Sequence, residues 1–158
     1  MKLELVVGIG EYSVSNQKGA QIKTYALSSC VAVTMYSPLR RAAGMVHIAL
    51  PAPPSNSQGI TRPGYYAVTG IPLLVKKMSE NFGCLKEELV VQIFGGANSN
   101  RKNDIFNIGR KNVEAVRQVL AELKLQIKHA DVGGSVSRTV SLSVDTGQVQ
   151  VAKYPLLF

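Results

Sequence analysis

Short apolar runs, rich in β-branched residues and bounded by turn signals, recur through the first third of the chain. They predict strands over residues 3–7, 21–27, 30–36 and 45–50. The last two, Cys30-Val31-Ala32-Val33-Thr34-Met35-Tyr36 and Met45-Val46-His47-Ile48-Ala49-Leu50, read as buried strands. A stretch rich in proline and serine, residues 51–59, then ends regular structure and reads as an exposed loop. A loop of this length is either a plain connector or a substrate-contacting lid. From residue 65 to 82 the apolar spacing turns helical, with Gly70 and Pro72 disturbing the first turns and Gly83 as a stop signal. A strand over 89–94 runs into Gly95-Gly96. Asn107 stands where it can cap a second helix, whose Val113, Val116, Val119, Leu120 and Leu123 share one face. A strand over 125–130 follows, and residues 139–144 and 148–152 alternate around Asp145-Thr146-Gly147 as a hairpin. Strands dominate and two helices remain to cover one side. The pattern predicts an α+β fold, a layered sandwich with both helices packed on one sheet face.

Two chemistry-bearing residues fall inside this pattern. Cys30 opens the third strand directly after Ser28-Ser29, and His47 sits seventeen residues later in the fourth. Two neighbouring antiparallel strands bring a thiol at the start of one beside an imidazole on the next. Nucleophilic thiol chemistry needs that pairing: the thiolate attacks and the imidazole moves the proton. On residue types alone, a strand cysteine is more often a small core hydrophobe and a single histidine an ordinary structural residue. The backbone N–H of Cys30 is the first candidate donor to an oxyanion, with a group of Ser28 or Ser29 as the second. Gly95-Gly96 and Gly133-Gly134 lack the Lys-Ser/Thr ending of a phosphate loop. Their expected role is close backbone packing that frames the site.

Several motifs in order resemble the CheD family of chemoreceptor glutamine deamidases. They run from Gly8-Ile9-Gly10-Glu11-Tyr12 through Thr24, Ser28-Ser29-Cys30-Val31-Ala32-Val33 and Met45-Val46-His47-Ile48-Ala49-Leu50-Pro51. Arg62-Pro63-Gly64-Tyr65-Tyr66-Ala67, Phe94-Gly95-Gly96-Ala97, Asn107-Ile108-Gly109-Arg110-Lys111-Asn112 and Asp131-Val132-Gly133-Gly134-Ser135 continue the series, with Arg138 just after. The resemblance covers nearly the whole chain. One position departs: the family usually has Gly-Ser-Cys, and Ser28 here replaces the glycine. A positive φ at that position would strain a serine.

The resemblance implies one domain over residues 1–158, an α/β/β sandwich similar to the deamidase domain of cytotoxic necrotizing factor toxins. It implies a catalytic set of Cys30, His47 and Thr24. Cys30, held as a thiolate by His47, would attack the γ-carbonyl of a receptor glutamine and release ammonia. Thr24 would accept from the second imidazole nitrogen and fix its tautomer. It further implies two kinds of partner, the cytoplasmic helices of methyl-accepting chemoreceptors and a CheC-type phosphatase. A mainly regulatory role beside that phosphatase is one alternative function. Hydrolysis of receptor glutamyl methyl esters is another, because ester and amide pass through the same thioester.

Composition narrows the remaining classes. The length of 158 residues and 46% apolar content suit one globular domain with a substantial core. No stretch has the length and apolarity of a membrane span, and Met1-Lys2-Leu3-Glu4 does not begin a signal peptide. Cys30 and Cys84 make no disulfide framework, which suits a reducing cytoplasm. No Cys/His cluster has zinc-like spacing, so neither metal nor cofactor is expected. The net charge of +8 implies an acidic partner or simply a solvated basic surface. Nucleic acid is disfavoured: no binding motif accompanies the charge, and aromatic platforms are few. Chemoreceptor helical hairpins are acidic as a class, which makes Arg40-Arg41 and Arg101-Lys102 the expected docking pairs, in turns framing the site.

Overall fold

The computed structural model describes residues 3–55, 61–98 and 106–156. Among the described residues nine strands and two α-helices occur in the order β1 (Leu3–Val6), β2 (Tyr12–Ser15), β3 (Ala20–Leu27), β4 (Val31–Ser37), β5 (Ala42–Ile48), α1 (Ala67–Phe82), β6 (Val90–Gly95), α2 (Ile108–Glu122), β7 (Ile127–Val132), β8 (Val136–Ser143) and β9 (Val149–Pro155). They form two mixed sheets, one ordered β1-β3-β8-β9 and one ordered β2-β5-β4-β6-β7. Strands β1 and β3 pair in parallel, as do β6 and β7, while the remaining pairs are antiparallel.

Side-chain alternation along β4 and β5 builds the layers. Val31, Val33 and Met35 on β4, with Val46 and Ile48 on β5, pack against Ile71 and Leu74 of α1 and Val116, Val119 and Leu120 of α2. The intervening residues Ala32, Tyr36, Ala43 and Met45 join Phe94 in packing against Ile22, Leu27, Val140 and Leu142 of the other sheet. Every residue of β4 and β5 is buried, so their sequences carry no solvated face. Each fully buried Val, Leu or Ile contributes roughly 1.5–3 kcal/mol relative to exposure. The molecule is thus a small α+β domain with two helices on one face of the five-stranded sheet and the second sheet on the other.

Local signals explain most boundaries. Gly83 ends α1 in the left-handed region at φ 71°, ψ 19°, and its N–H donates to Ser79 O at 2.8 Å. Pro72 lies inside α1, where it removes only the amide that would have bonded Val68, an exposed residue. Strand β2 goes beyond the sequence expectation, because Tyr12-Ser13-Val14-Ser15 alternates over only four residues. Asn107 precedes α2 as expected, but it adopts a left-handed conformation and its side chain makes no cap. The partner comes from elsewhere: Asn98 Oδ1 accepts from Arg110 N at 3.3 Å.

The expected docking pair at Arg40-Arg41 is misplaced. It follows Ser37 at the end of β4 remote from Cys30, roughly 20 Å away at 3.3 Å per residue. Arg40 is also engaged there, its Nε and Nη2 donating to Glu88 at 2.9 and 3.1 Å. Arg101-Lys102 and residues 56–59 of the expected lid lie outside the described residues.

Candidate active site

The imidazole is placed by strand register. In the antiparallel β4–β5 ladder Val31 opposes Ile48 and Ala32 opposes His47. His47 therefore alternates with Val46 and Ile48 and turns toward the second sheet, where it is 3% exposed. Thr24 of β3 reaches it from that sheet, fully buried, with Oγ1 2.8 Å from His47 Nδ1. The same hydroxyl donates its single proton to Val7 O at 2.6 Å. It can only accept from the ring, so Nδ1 carries the proton and Nε2 holds the lone pair. Nε2 is buried and finds no hydrogen-bond partner among the described residues.

Cys30 stands one residue before β4, just outside the paired stretch that begins with Val31 opposite Ile48, half-buried against the core between the sheets. It shares a sheet face with Ala32 and hence with His47, as a diagonal cross-strand neighbour. The chain arrives there through a β-bulge between Thr24 and Leu27, where Ala26 takes a left-handed φ of 56°. Such an extra residue bends a strand and re-aims the side chains beyond it. Ser28 is not among the residues with positive φ, so replacing the family's glycine imposes no strain at that position.

Three successive carbonyls fasten the Ser28-Ser29-Cys30 segment. Ser28 O accepts from Ala97 N at 2.7 Å, and Cys30 O accepts from Gly96 N at 2.8 Å. Ser29 O accepts from Asn112 Nδ2 at 2.9 Å. The N–H groups of Ser28, Ser29 and Cys30 have no acceptor among the described residues. Gly95 lies flat against this segment at φ 113°, and a Cβ there would collide with the Cys30 carbonyl. Behind it Arg138 is buried, donating to Gly95 O at 3.3 Å, Gly133 O at 2.9 Å and Asp131 Oδ1 at 3.2 Å.

Burial sets the protonation states. It pushes the Cys30 thiol above its usual value. It pushes His47 down to about 4, outweighing the opposing pull of the Val7 carbonyl and the Glu11 carboxylate. Both shifts run against the expected thiolate–imidazolium pair. Near neutrality burial favours the uncharged thiol and the uncharged imidazole, and no hydrogen bond joins Cys30 to the free ring nitrogen.

Asn112 is the residue that sequence reasoning passed over. It stands with Gly109, Val116, Val119 and Leu120 on the buried side of α2. An amide on the apolar stripe of a helix was the available signal. Gly109 lets α2 approach the Gly96-Ala97 backbone so closely that a Cβ would strike the Ala97 carbonyl. No group of three or more potential metal-ligating side chains occurs among the described residues.

A half-buried thiol and a buried imidazole thus share one sheet face in a two-sheet α+β sandwich. Its architecture resembles that of the Bacillus licheniformis hypothetical protein YfiH, with a TM-score of 0.50 at 14% identity over 78% of this chain and 49% of the other. Sequence comparison narrows this further. A family model described as CheD chemotactic sensory transduction matches residues 49–153. A probable chemoreceptor glutamine deamidase CheD of Syntrophotalea carbinolica is 51% identical over 152 residues, 94% of this chain and 93% of the relative. The chemoreceptor glutamine deamidase CheD of Thermotoga maritima is 38% identical, covering 96% and 92% of the two chains. The chain belongs to the CheD family.

Proposed function

We propose that this protein is a chemoreceptor glutamine deamidase, hydrolysing glutamine side chains of receptor cytoplasmic helices to glutamate and ammonia in the cytoplasm. One observation carries the chemistry. His47 is held in the tautomer that leaves Nε2 basic, buried and unpartnered, on the sheet face it shares with Cys30. The names of the relatives supply the substrate.

The thiol proton passes to His47 Nε2 as Cys30 Sγ attacks the amide carbon. No hydrogen bond joins the two side chains at rest, and substrate binding brings them into reach of each other. The oxyanion is met by the Cys30 N–H, with the Ser29 N–H beside it. Imidazolium, stabilised by Nδ1–H donation to Thr24, then gives its proton to the departing nitrogen, and ammonia leaves. Nε2 next deprotonates water, which opens the thioester, releases glutamate and restores the thiol. A hydroxyl stabilises imidazolium less than a carboxylate would, so binding of the receptor does more of the work. In this reading the sandwich is akin to the deamidase domain of cytotoxic necrotizing factor toxins, and a CheC-type phosphatase is a second partner.

The test is mass spectrometry of a purified receptor cytoplasmic fragment after incubation with the protein. Glutamine-to-glutamate conversion is expected, and it disappears in Cys30→Ala. Conversion that persists without the thiol sinks the mechanism, and the absence of any conversion with the parent protein sinks the function.

A further inference from the structure

The geometry points to Asn112 as the positioning residue of the oxyanion site. It is fully buried, and its side-chain NH₂ makes two bonds of 2.9 Å, one to Ser29 O and one to Ala49 O. Its orientation is unambiguous, because a flipped amide would set Oδ1 against two carbonyl oxygens. One side chain on α2 therefore ties the residue before the nucleophile to the segment just beyond the imidazole strand.

Ser29 C=O and Cys30 N–H belong to one planar trans unit and point in opposite directions. Fixing the carbonyl toward α2 turns the Cys30 N–H away from it, free of any acceptor among the described residues. Without the clamp this peptide can rotate, and the donor is lost from the developing oxyanion. The neighbouring bonds from Ala97 N to Ser28 O and from Gly96 N to Cys30 O hold the segment in place but not this peptide plane. Asn112 touches no reacting atom and acts through the Cys30 amide.

The inference rests on the acyl-transfer reading, and two reactions of the same thiol separate it from a general loss of structure. Alkylation by iodoacetamide displaces iodide and develops no oxyanion. Acylation by p-nitrophenyl acetate forms a tetrahedral oxyanion, as deamidation does. In Asn112→Leu and Asn112→Asp, acylation of Cys30 and kcat on a receptor fragment should fall roughly 10- to 100-fold, below the full loss of one oxyanion donor. The alkylation rate and the receptor KM should stay within about threefold. In Asn112→Asp, protonating the introduced carboxyl restores one donor, so relative acylation should recover as pH is lowered. If neither variant folds, Asn112→Ser takes their place in the same comparison. Equal losses in alkylation and acylation, or no loss in either, overturn the proposal. Should the parent protein leave the receptor unchanged while the acylation ratio still falls, the deamidase reading fails and the clamp stands.

Discussion

Replacing His47 by glutamine removes a buried group whose titration should dominate acid instability near neutrality. The imidazole is 3% exposed and its pKa is pushed down to about 4 from 6.5, with burial as the main cause. In the unfolded chain it titrates normally and binds a proton that the native state refuses. The native state is therefore favoured above about pH 6.5, and that advantage is lost as pH falls toward 4. At about 1.4 kcal/mol per pKa unit, the loss amounts to about 3 kcal/mol in full and about 2 kcal/mol by pH 5. Urea unfolding of parent and His47→Gln between pH 7.5 and 4.5 isolates this contribution. Carboxylates such as Glu88 and Asp131, whose ion pairs hold them below their usual values, titrate in both proteins and cancel in the difference. The stability of the parent relative to the variant should shrink steadily as the solution is acidified. Parallel pH curves would falsify the reasoning, because the imidazole would then be solvated enough to protonate normally. The neutral-pair mechanism would go with it.

Three further outcomes are expected at the same site. Cys30 should alkylate well before Cys84, which is 4% exposed, and its rate should climb into the alkaline range because burial raises its thiol pKa; comparable rates in peptide mapping would contradict this. Thr24→Val keeps the shape but strips the acceptor from Nδ1–H, so kcat should fall roughly 10- to 100-fold, the equivalent of about 1–3 kcal/mol, with Thr24→Ser recovering much of it. Unchanged turnover in the valine variant would reduce Thr24 to a packing residue. Gly95→Ala places a side chain at φ 113° against the Cys30 carbonyl, so thermal unfolding should shift down by an amount worth about 1–3 kcal/mol and turnover should drop with it. A variant with the parent's melting temperature would show that the segment around Cys30 gives way easily.

Much of the architecture was legible because it rests on local pattern. The runs 30–36 and 45–50 are apolar except for Thr34 and His47 because both faces of β4 and β5 are covered, and Gly83 stops α1 by a conformation that suits glycine. The short connection between β4 and β5 pairs them as antiparallel neighbours, so Cys30 and His47 were joined from their spacing. Arg40-Arg41 was misjudged because turns look alike in sequence, whichever end of a sheet they occupy. Strand β2 was missed because its partner, β5, supplies the order that four residues lack.

The chain by itself determined which segments form strands and helices and which two strands carry the thiol and the imidazole. The family resemblance joined Thr24 to His47, and tertiary structure alone decided that Thr24 reaches it from the other sheet while its hydroxyl donates to Val7 O. It also decided that Asn112 joins Ser29 to Ala49, and that the resting pair is neutral. Strand and helix preferences arise from a residue's own neighbours along the chain. Tautomer, charge state and peptide orientation depend on atoms far apart in sequence that exclude water together, and those atoms meet only when the two sheets and α2 close around the site.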